Sequence, residues 1–206
     1  MKYTALIIAL FILSPFVSKA QSLDPSGASR LYKPFKVDVG LNLTFPTESE
    51  LTTGGGFYVE PRYGINDQIN IGLQLGSNIL GEGESLFNHQ EATYRAQAIS
   101  NLSLTGEYLF GKENTRPFVG VMVGMYRRSD YEIVDSDDGT IFNQVGNEVN
   151  FGVAPRIGLI AGKFRMNFTY HITGENISDF FSIGLGIQFG GGKIKNEPKK
   201  SYSTWE

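Results

Sequence analysis

The chain contains no cysteine, which excludes a disulfide framework, a thiolate metal site and a lipid-modified cysteine behind a leader. Its charge lacks a dominant sign: a net value of -3 is too balanced to point to nucleic acid. Proline is scarce, at 8 residues, and the single tryptophan, Trp205, stands in the tail. Long apolar runs are missing except at the start, where MKYTALIIALFILSPFVSKA sets Lys2 ahead of an apolar run from Ala5 to about Phe16. That run is shorter than the roughly 20 residues a spanning helix needs, and with Ser18-Lys19-Ala20 behind it the first 20 residues read as a secretory signal peptide. No later stretch could cross a membrane as a helix, so any insertion must use strands.

What the chain has is glycine (25), phenylalanine (15) and tyrosine (10), a composition that favours strands. In FKVDVGLNLTF, Phe35, Val37, Val39, Leu41, Leu43 and Phe45 share one strand face, with Lys36, Asp38, Gly40, Asn42 and Thr44 on the other. The same alternation predicts strands at 35–45, 56–64, 68–78, 94–110, 117–127, 147–161, 163–173 and 180–190, with Ile99 and Ser100 as exceptions. Each is near the 9 to 11 residues that cross a bilayer as a tilted strand. Short turns (INDQ, GKENTR, AGK) alternate with longer polar loops (PTESELTTGG, ILGEGESLFNHQEAT, RSDYEIVDSDDGTIFNQVGN, and the shorter TGENISD). Short connections at one end and long ones at the other are the pattern of an outer-membrane barrel.

The polar face carries Lys36, Asp38, Glu60, Arg62, Arg95, Glu107, Glu148, Arg156 and Arg165, both signs mixed, among glycines such as Gly184 and Gly186. An eight-stranded barrel has an interior just wide enough for side chains to fill, and buried charges persist when paired. These nine residues are therefore expected to form a lumen charge network. Aromatic residues gather at the strand ends: Phe35, Tyr63, Tyr108, Phe110, Phe164 and Phe189 by the short turns, and Phe45, Phe57, Tyr94, Phe151, Tyr170 and Phe181 by the long loops. Two such rings match interfacial girdles. The apolar face is thus the one that meets lipid.

With this pattern the chain resembles, over residues 35 to 190, the small outer-membrane barrels of the OmpA transmembrane domain, OmpX and opacity-protein families. The ending FSIGLGIQF, with Phe181, Ile183, Leu185, Ile187 and Phe189 on one face, is similar to the family's terminal strand, and the resemblance implies recognition by the barrel-assembly machinery. Here GGGKIKNEPKKSYSTWE follows Phe189, whereas the family's terminal phenylalanine normally ends the chain. No room is left for a peptidoglycan-binding domain.

The expected fold is all-β: an eight-stranded antiparallel up-and-down transmembrane β-barrel over 35–190, behind a signal peptide (1–20) and a periplasmic N-terminal segment (21–34) and ahead of a periplasmic tail (191–206), both flexible. The expected role is that of a non-enzymatic, monomeric outer-membrane protein, structural or acting on an unidentified surface ligand through its loops, in contact with membrane lipid and lipopolysaccharide and without cofactor or metal. A narrow porin-like channel for ions or small solutes is the alternative. A lipid A-modifying enzyme is a further one: the sequence around His171 in TYHITGEN is similar to the outer-membrane lipid A deacylases, but Thr173 stands where their serine would be and parity sends His171 to the lumen. A soluble lipocalin-like barrel would bury the apolar faces inward. The acidic run DSDDG, Asp135 to Gly139, has its glycine one residue early for a calcium loop and no closing glutamate, so it reads as a solvated loop.

Overall fold

The structure, a computed structural model, describes residues 31–48, 51–82, 92–136, 139–175 and 177–194, with 82, 92–95, 132–136 and 139–145 described through their backbone alone. Eight strands follow in chain order: β1 (Phe35–Pro46), β2 (Leu51–Gly64), β3 (Ile69–Glu82), β4 (Ala92–Leu109), β5 (Thr115–Ser136), β6 (Gly139–Ala161), β7 (Phe164–His171) and β8 (Phe180–Gly190). Each pairs antiparallel with the next, and β8 returns to β1, closing a barrel. None of the described residues forms a helix long and apolar enough to cross a membrane. The signal peptide expected over 1–20 lies outside the described residues.

Closure comes with a stagger. The ladder passes from Phe35 to Tyr63, Ile71, Gly106, Val121 and Pro155, then through Tyr170 and Phe181, and re-enters β1 at Phe45. That ten-residue offset over eight strands tilts them about 40° from the barrel axis. Followed round the wall, the stagger sets Phe35, Tyr63, Tyr108, Phe164 and Phe189 at one level and Phe45, Phe151 and Phe181 at another, roughly 25 Å higher. Between them the outward side chains are apolar and largely exposed, among them Leu41, Leu73, Leu104, Ile157 and Leu185. An apolar band of this height between two aromatic rings fits a hydrocarbon slab.

The three short turns sit together at one end. Asn66 caps the first by accepting backbone N–H bonds from Gln68 (2.8 Å) and Ile69 (2.7 Å), a local competition that suits asparagine to turns. In the third, Gly162 takes φ +63 between Ala161 and Phe164, a left-handed position that a side chain would strain.

The long-loop end differs from the sequence expectation. Strand β2 begins at Leu51 instead of residue 56, and most of the supposed fifth-to-sixth loop is strand, because β5 runs to Ser136 and β6 starts at Gly139. Asp135 and Ser136 of the DSDDG run thus close β5, while 137 and 138 lie outside the described residues. β5 and β6 pair along their whole length, with a register shift at Asp130/Tyr131, whereas β7 ends at His171 and meets β6 beyond Arg156 only through the bridge Val153–Ile172. Between those contacts stands Pro155, which has no N–H for Tyr170. The wall is therefore tall at β3 to β6 and low at β7, β8 and β1. Residues 31–34 and 191–194 are also not loose tails: Lys33 N donates to Gly192 O (3.0 Å) and Ile194 N to Leu31 O (2.8 Å).

Val121 faces outward on β5 near the middle of the band, so Val121→Arg is expected to destabilise the barrel in lipid vesicles by about 2–4 kcal/mol, against about 0–1 kcal/mol for Ser100→Arg at the upper ring. Urea midpoints in vesicles measure both, and equal shifts would refute the placement of the band.

Candidate functional site

The inward face builds the candidate site. Alternation turns Asp38 (β1), Glu60 and Arg62 (β2), Glu107 (β4), Arg156 (β6) and Arg165 (β7) into the lumen, all nearly inaccessible to solvent. Glu107 is the hub. It forms ion pairs with Arg62 and Arg165 and a third with Arg156, whose Nη2 lies 2.6 Å from its Oε1. Arg156 also holds Glu60 through two bonds, at 3.0 and 2.6 Å, the two-pronged geometry that a planar guanidinium allows. Arg62 pairs with Asp38 and donates to Gln188 Oε1 at 3.1 Å, and Thr105 donates to Glu60 at 2.8 Å.

These ties cross the lumen. Arg156 and Glu60 stand on β6 and β2, strands four apart in an eight-stranded ring, and Arg165 reaches Glu107 from β7 to β4. Three guanidinium groups meet three carboxylates, so the charges balance where each ion has been taken out of water. That matters because an uncompensated buried ion costs several kcal/mol.

The structure does not bring all nine predicted charges together. Lys36 is buried below the network at the foot of β1, its stem beneath Gly191, where an added Cβ would sit 3.1 Å away. Glu148 is exposed on the tall part of β6, opposite Arg128 in the register. Past the end of β7 this side of the wall has no neighbour to enclose it, so inward parity on upper β6 leads to water. Arg95 lies at a similar height on β4, opposite Glu132, and its side chain is outside the description.

Apolar residues flank the charges on both sides. By the short turns, Leu109, Phe118 and Ile160 cluster inside the barrel, and the Arg165 guanidinium lies 4.0 Å over the Phe118 ring, a favourable stack. Towards the long loops, Leu51, Leu80, Ile99, Tyr126, Ile177 and Phe180 form an inner plug. Ile99 thus obeys the alternation after all: it points inward because the lumen is apolar at that level. Ile177 arrives from the β7–β8 loop, which is pinned by Thr173 Oγ1 donating to Ile177 O (2.7 Å) and by Asp179 accepting from Thr173 N (3.0 Å).

Between plug and charges lies a layer of amides and hydroxyls that includes His171. Its Nδ1 is 3.0 Å from Tyr126 Oη and its Nε2 3.0 Å from Ser182 Oγ, with the Phe180 ring stacked at 4.2 Å. A serine and a histidine within hydrogen-bond reach resemble half of a nucleophilic pair, yet Ser182 is buried beneath the plug and Glu175 is exposed on the loop. No carboxylate is described orienting the imidazole. Thr173, the residue in the serine position of the enzyme reading, is buried with its hydroxyl given to the loop carbonyls. Among the described residues no group of three histidine or acidic side chains could hold a metal ion.

The terminal-strand residues Phe181, Leu185, Ile187 and Phe189 are exposed on the outer face of β8, with Ile183 half-exposed. Gly190 and Gly191, at φ +77 and +65, then turn the chain off the wall. That turn is how residues beyond Phe189 continue without disturbing the β1–β8 pairing.

No protein-family model and no curated protein matches the chain. Solved structures do. Ail, the attachment invasion locus protein of Yersinia pestis, matches at 12% identity and a TM-score of 0.50, over 76% of this chain and 99% of its own. Neisserial surface protein A matches at 13% and 0.48, over 76% and 96%. The outer membrane protein OprG of Pseudomonas aeruginosa matches at 13% and 0.47, over 78% and 98%. Its closed eight-stranded ladder, with the match to Ail, gives the chain the fold of the small outer-membrane barrels.

Glu107→Gln should strand three arginines around two carboxylates and cost about 3–5 kcal/mol, the usual penalty for breaking a buried pair. Adding Arg165→Gln restores the balance, so the double variant is expected to lose less than the sum of the single losses. Urea midpoints of the four proteins test this, and strict additivity would show that the two groups are not coupled.

Proposed function

We propose that the chain is a non-enzymatic protein of the bacterial outer membrane, with the short turns in the periplasm, that acts as a structural or surface-interaction module through its raised outer wall. The observation that carries this reading is the height of β5 and β6. Among the described side chains Met125 is the last exposed apolar residue on β5, Arg127 is exposed and donates to Asn147 (2.8 Å), and the two strands continue from there to Ser136 and Gly139. Strand that extends past the girdle contributes nothing to spanning the membrane. It offers a rigid, paired platform to the outside, which suits recognition better than a loose loop does.

The lumen supports the non-conducting part of the reading, since ion pairs cross it from wall to wall between two apolar clusters. Lipid and lipopolysaccharide would surround the apolar band, the barrel-assembly machinery would receive the β8 face from Phe181 to Phe189, and the barrel would act as a monomer.

Three measurements test the proposal. In planar bilayers the purified barrel is expected to give no discrete conductance steps; regular steps would favour the channel. Overexpression is expected to leave the lipid A mass spectrum unchanged. Cells carrying a variant in which residues 129–146 are replaced by a short turn should keep a heat-modifiable barrel but lose whatever binding intact cells show on panels of immobilised glycans and matrix proteins. Retained binding would refute the role of the raised wall.

A further inference from the structure

The short-turn mouth, periplasmic on the reading above, is crossed by a strap that neither the lumen network nor the raised wall requires. Leu31 N donates to both carboxylate oxygens of Asp67 (3.2 and 3.2 Å) and Tyr32 N to one of them (3.3 Å), in the β2–β3 turn. The Tyr32 hydroxyl lies 3.0 Å from Lys112 O and 2.9 Å from Glu113 O, in the β4–β5 turn. The Arg116 guanidinium sits 4.0 Å over the Tyr32 ring and donates to Asp67 O at 3.1 Å. On its own side the strap is tied to residues 192–194 by Lys33 N to Gly192 O, Ile194 N to Leu31 O and the bridge Tyr32–Lys193.

Topology gives these contacts their meaning. Residue 32 precedes β1, and the β4–β5 turn precedes β5, the strand four places away in the ring of eight. A tyrosine rooted at β1 whose hydroxyl reaches that turn spans the mouth. It is only 8% exposed although it lies outside every barrel strand. Behind it stand the inward-facing Lys36, Asn70 and Arg116, all nearly inaccessible.

We propose that residues 31–33 are a periplasmic lid with Tyr32 as its stopper, able to open while the barrel stays closed, over a vestibule that admits anions in preference to cations. Release is separable because the lid is held by side-chain and turn contacts and a two-residue ladder, so opening it breaks no pair between barrel strands; local openings of this kind lie well below global unfolding in free energy. The preference for anions follows from charge. The three arginines and three carboxylates above offset one another, and at the mouth the buried Lys36 and Arg116 outweigh the single carboxylate of Asp67.

The absence of cysteine makes a direct test possible with the full chain in lipid nanodiscs. Asn70→Cys places one thiol behind the lid, and its rate with an anionic and a cationic methanethiosulfonate reagent is measured. The rate with the anionic reagent should rise on the order of tenfold when Tyr32→Ala is added, with smaller rises for Tyr32→Phe, which loses the hydroxyl, and Asp67→Asn, which weakens the strap anchor. The cationic reagent should gain less. Heat-modifiable migration on gels verifies that each variant is folded, and if Tyr32→Ala fails that check the other two supply the same comparison. Equal rates with and without the lid substitutions overturn the lid, and a greater gain for the cationic reagent overturns the anion preference. Ser103→Cys, in the lumen beyond the charges, separates this proposal from the closed-lumen reading: it should stay slow in every background, and fast reaction there with Tyr32 intact would refute the closed lumen, leaving the lid to be judged at position 70.

Discussion

Everything in this molecule depends on the pairing of β8 with β1. In hydrocarbon a backbone amide has no water to turn to, so a sheet can cross only if it has no edge. The pairs from Lys36–Gly190 to Pro46–Phe180 remove the last one. Closure with a ten-residue stagger then sets the strand tilt, and tilt sets the height of wall delivered by each stretch of alternating residues. The aromatic levels at Phe35 and Phe45 are thus a consequence of register as much as of composition. The same closure sets the bore, just wide enough for side chains to meet across it.

The bore explains the order of layers inside. A long side chain needs space opposite: the Tyr58 ring lies where a Cβ on Gly40 would be 2.5 Å from it, and the Tyr126 ring where one on Gly152 would be 2.7 Å away. Arginine and glutamate can be buried together because each guanidinium satisfies more than one carboxylate and Glu107 serves three guanidinium groups. Apolar clusters at both ends shield the charges from bulk water, and a lower local dielectric strengthens every paired bond while penalising any unpaired group. Polar centre and apolar ends therefore reinforce one another, and loss of either would weaken both.

Alternation made the spanning part of the wall legible in the sequence. From Phe35 to Phe45, or Phe164 to His171, lipid on one side and packed lumen on the other force every residue to declare a face. The six charges of the network were legible for the same reason. Glu148 was not separable from them, because parity reports the direction of a side chain but not whether the barrel still encloses anything beside it. The upper parts of β5 and β6 were hidden in RSDYEIVDSDDGTIFNQVGN because its acidic run and Gly139 read as a solvated loop, and strand beyond the lipid is under no constraint to alternate. Tyr32 left no local signal at all: its partners at 67, 112, 113 and 116 come together only once the barrel has closed.

The plug and the raised wall have one common origin in the early end of β7. Pro155 offers no N–H to Tyr170, so the β6–β7 ladder lapses there and resumes only at Val153–Ile172. Beyond that bridge β7 has stopped, and the chain must reach Phe180 within a few residues. Thr173 and Asp179 tie that short loop to itself, and Ile177 can bury its side chain only by dropping into the bore above Phe180. On the other side, β6 above Gly152 has lost its neighbour and pairs with β5 alone. Its unpartnered backbone edge begins beside the exposed Phe151 and Val149, at the upper aromatic level, and runs on past Asn147, which accepts from Arg127, where water can satisfy it. Were β7 as long as β5, the lumen would lose its apolar plug and the wall its open side, so a single proline on β6 and the short strand beside it shape both ends of the upper barrel.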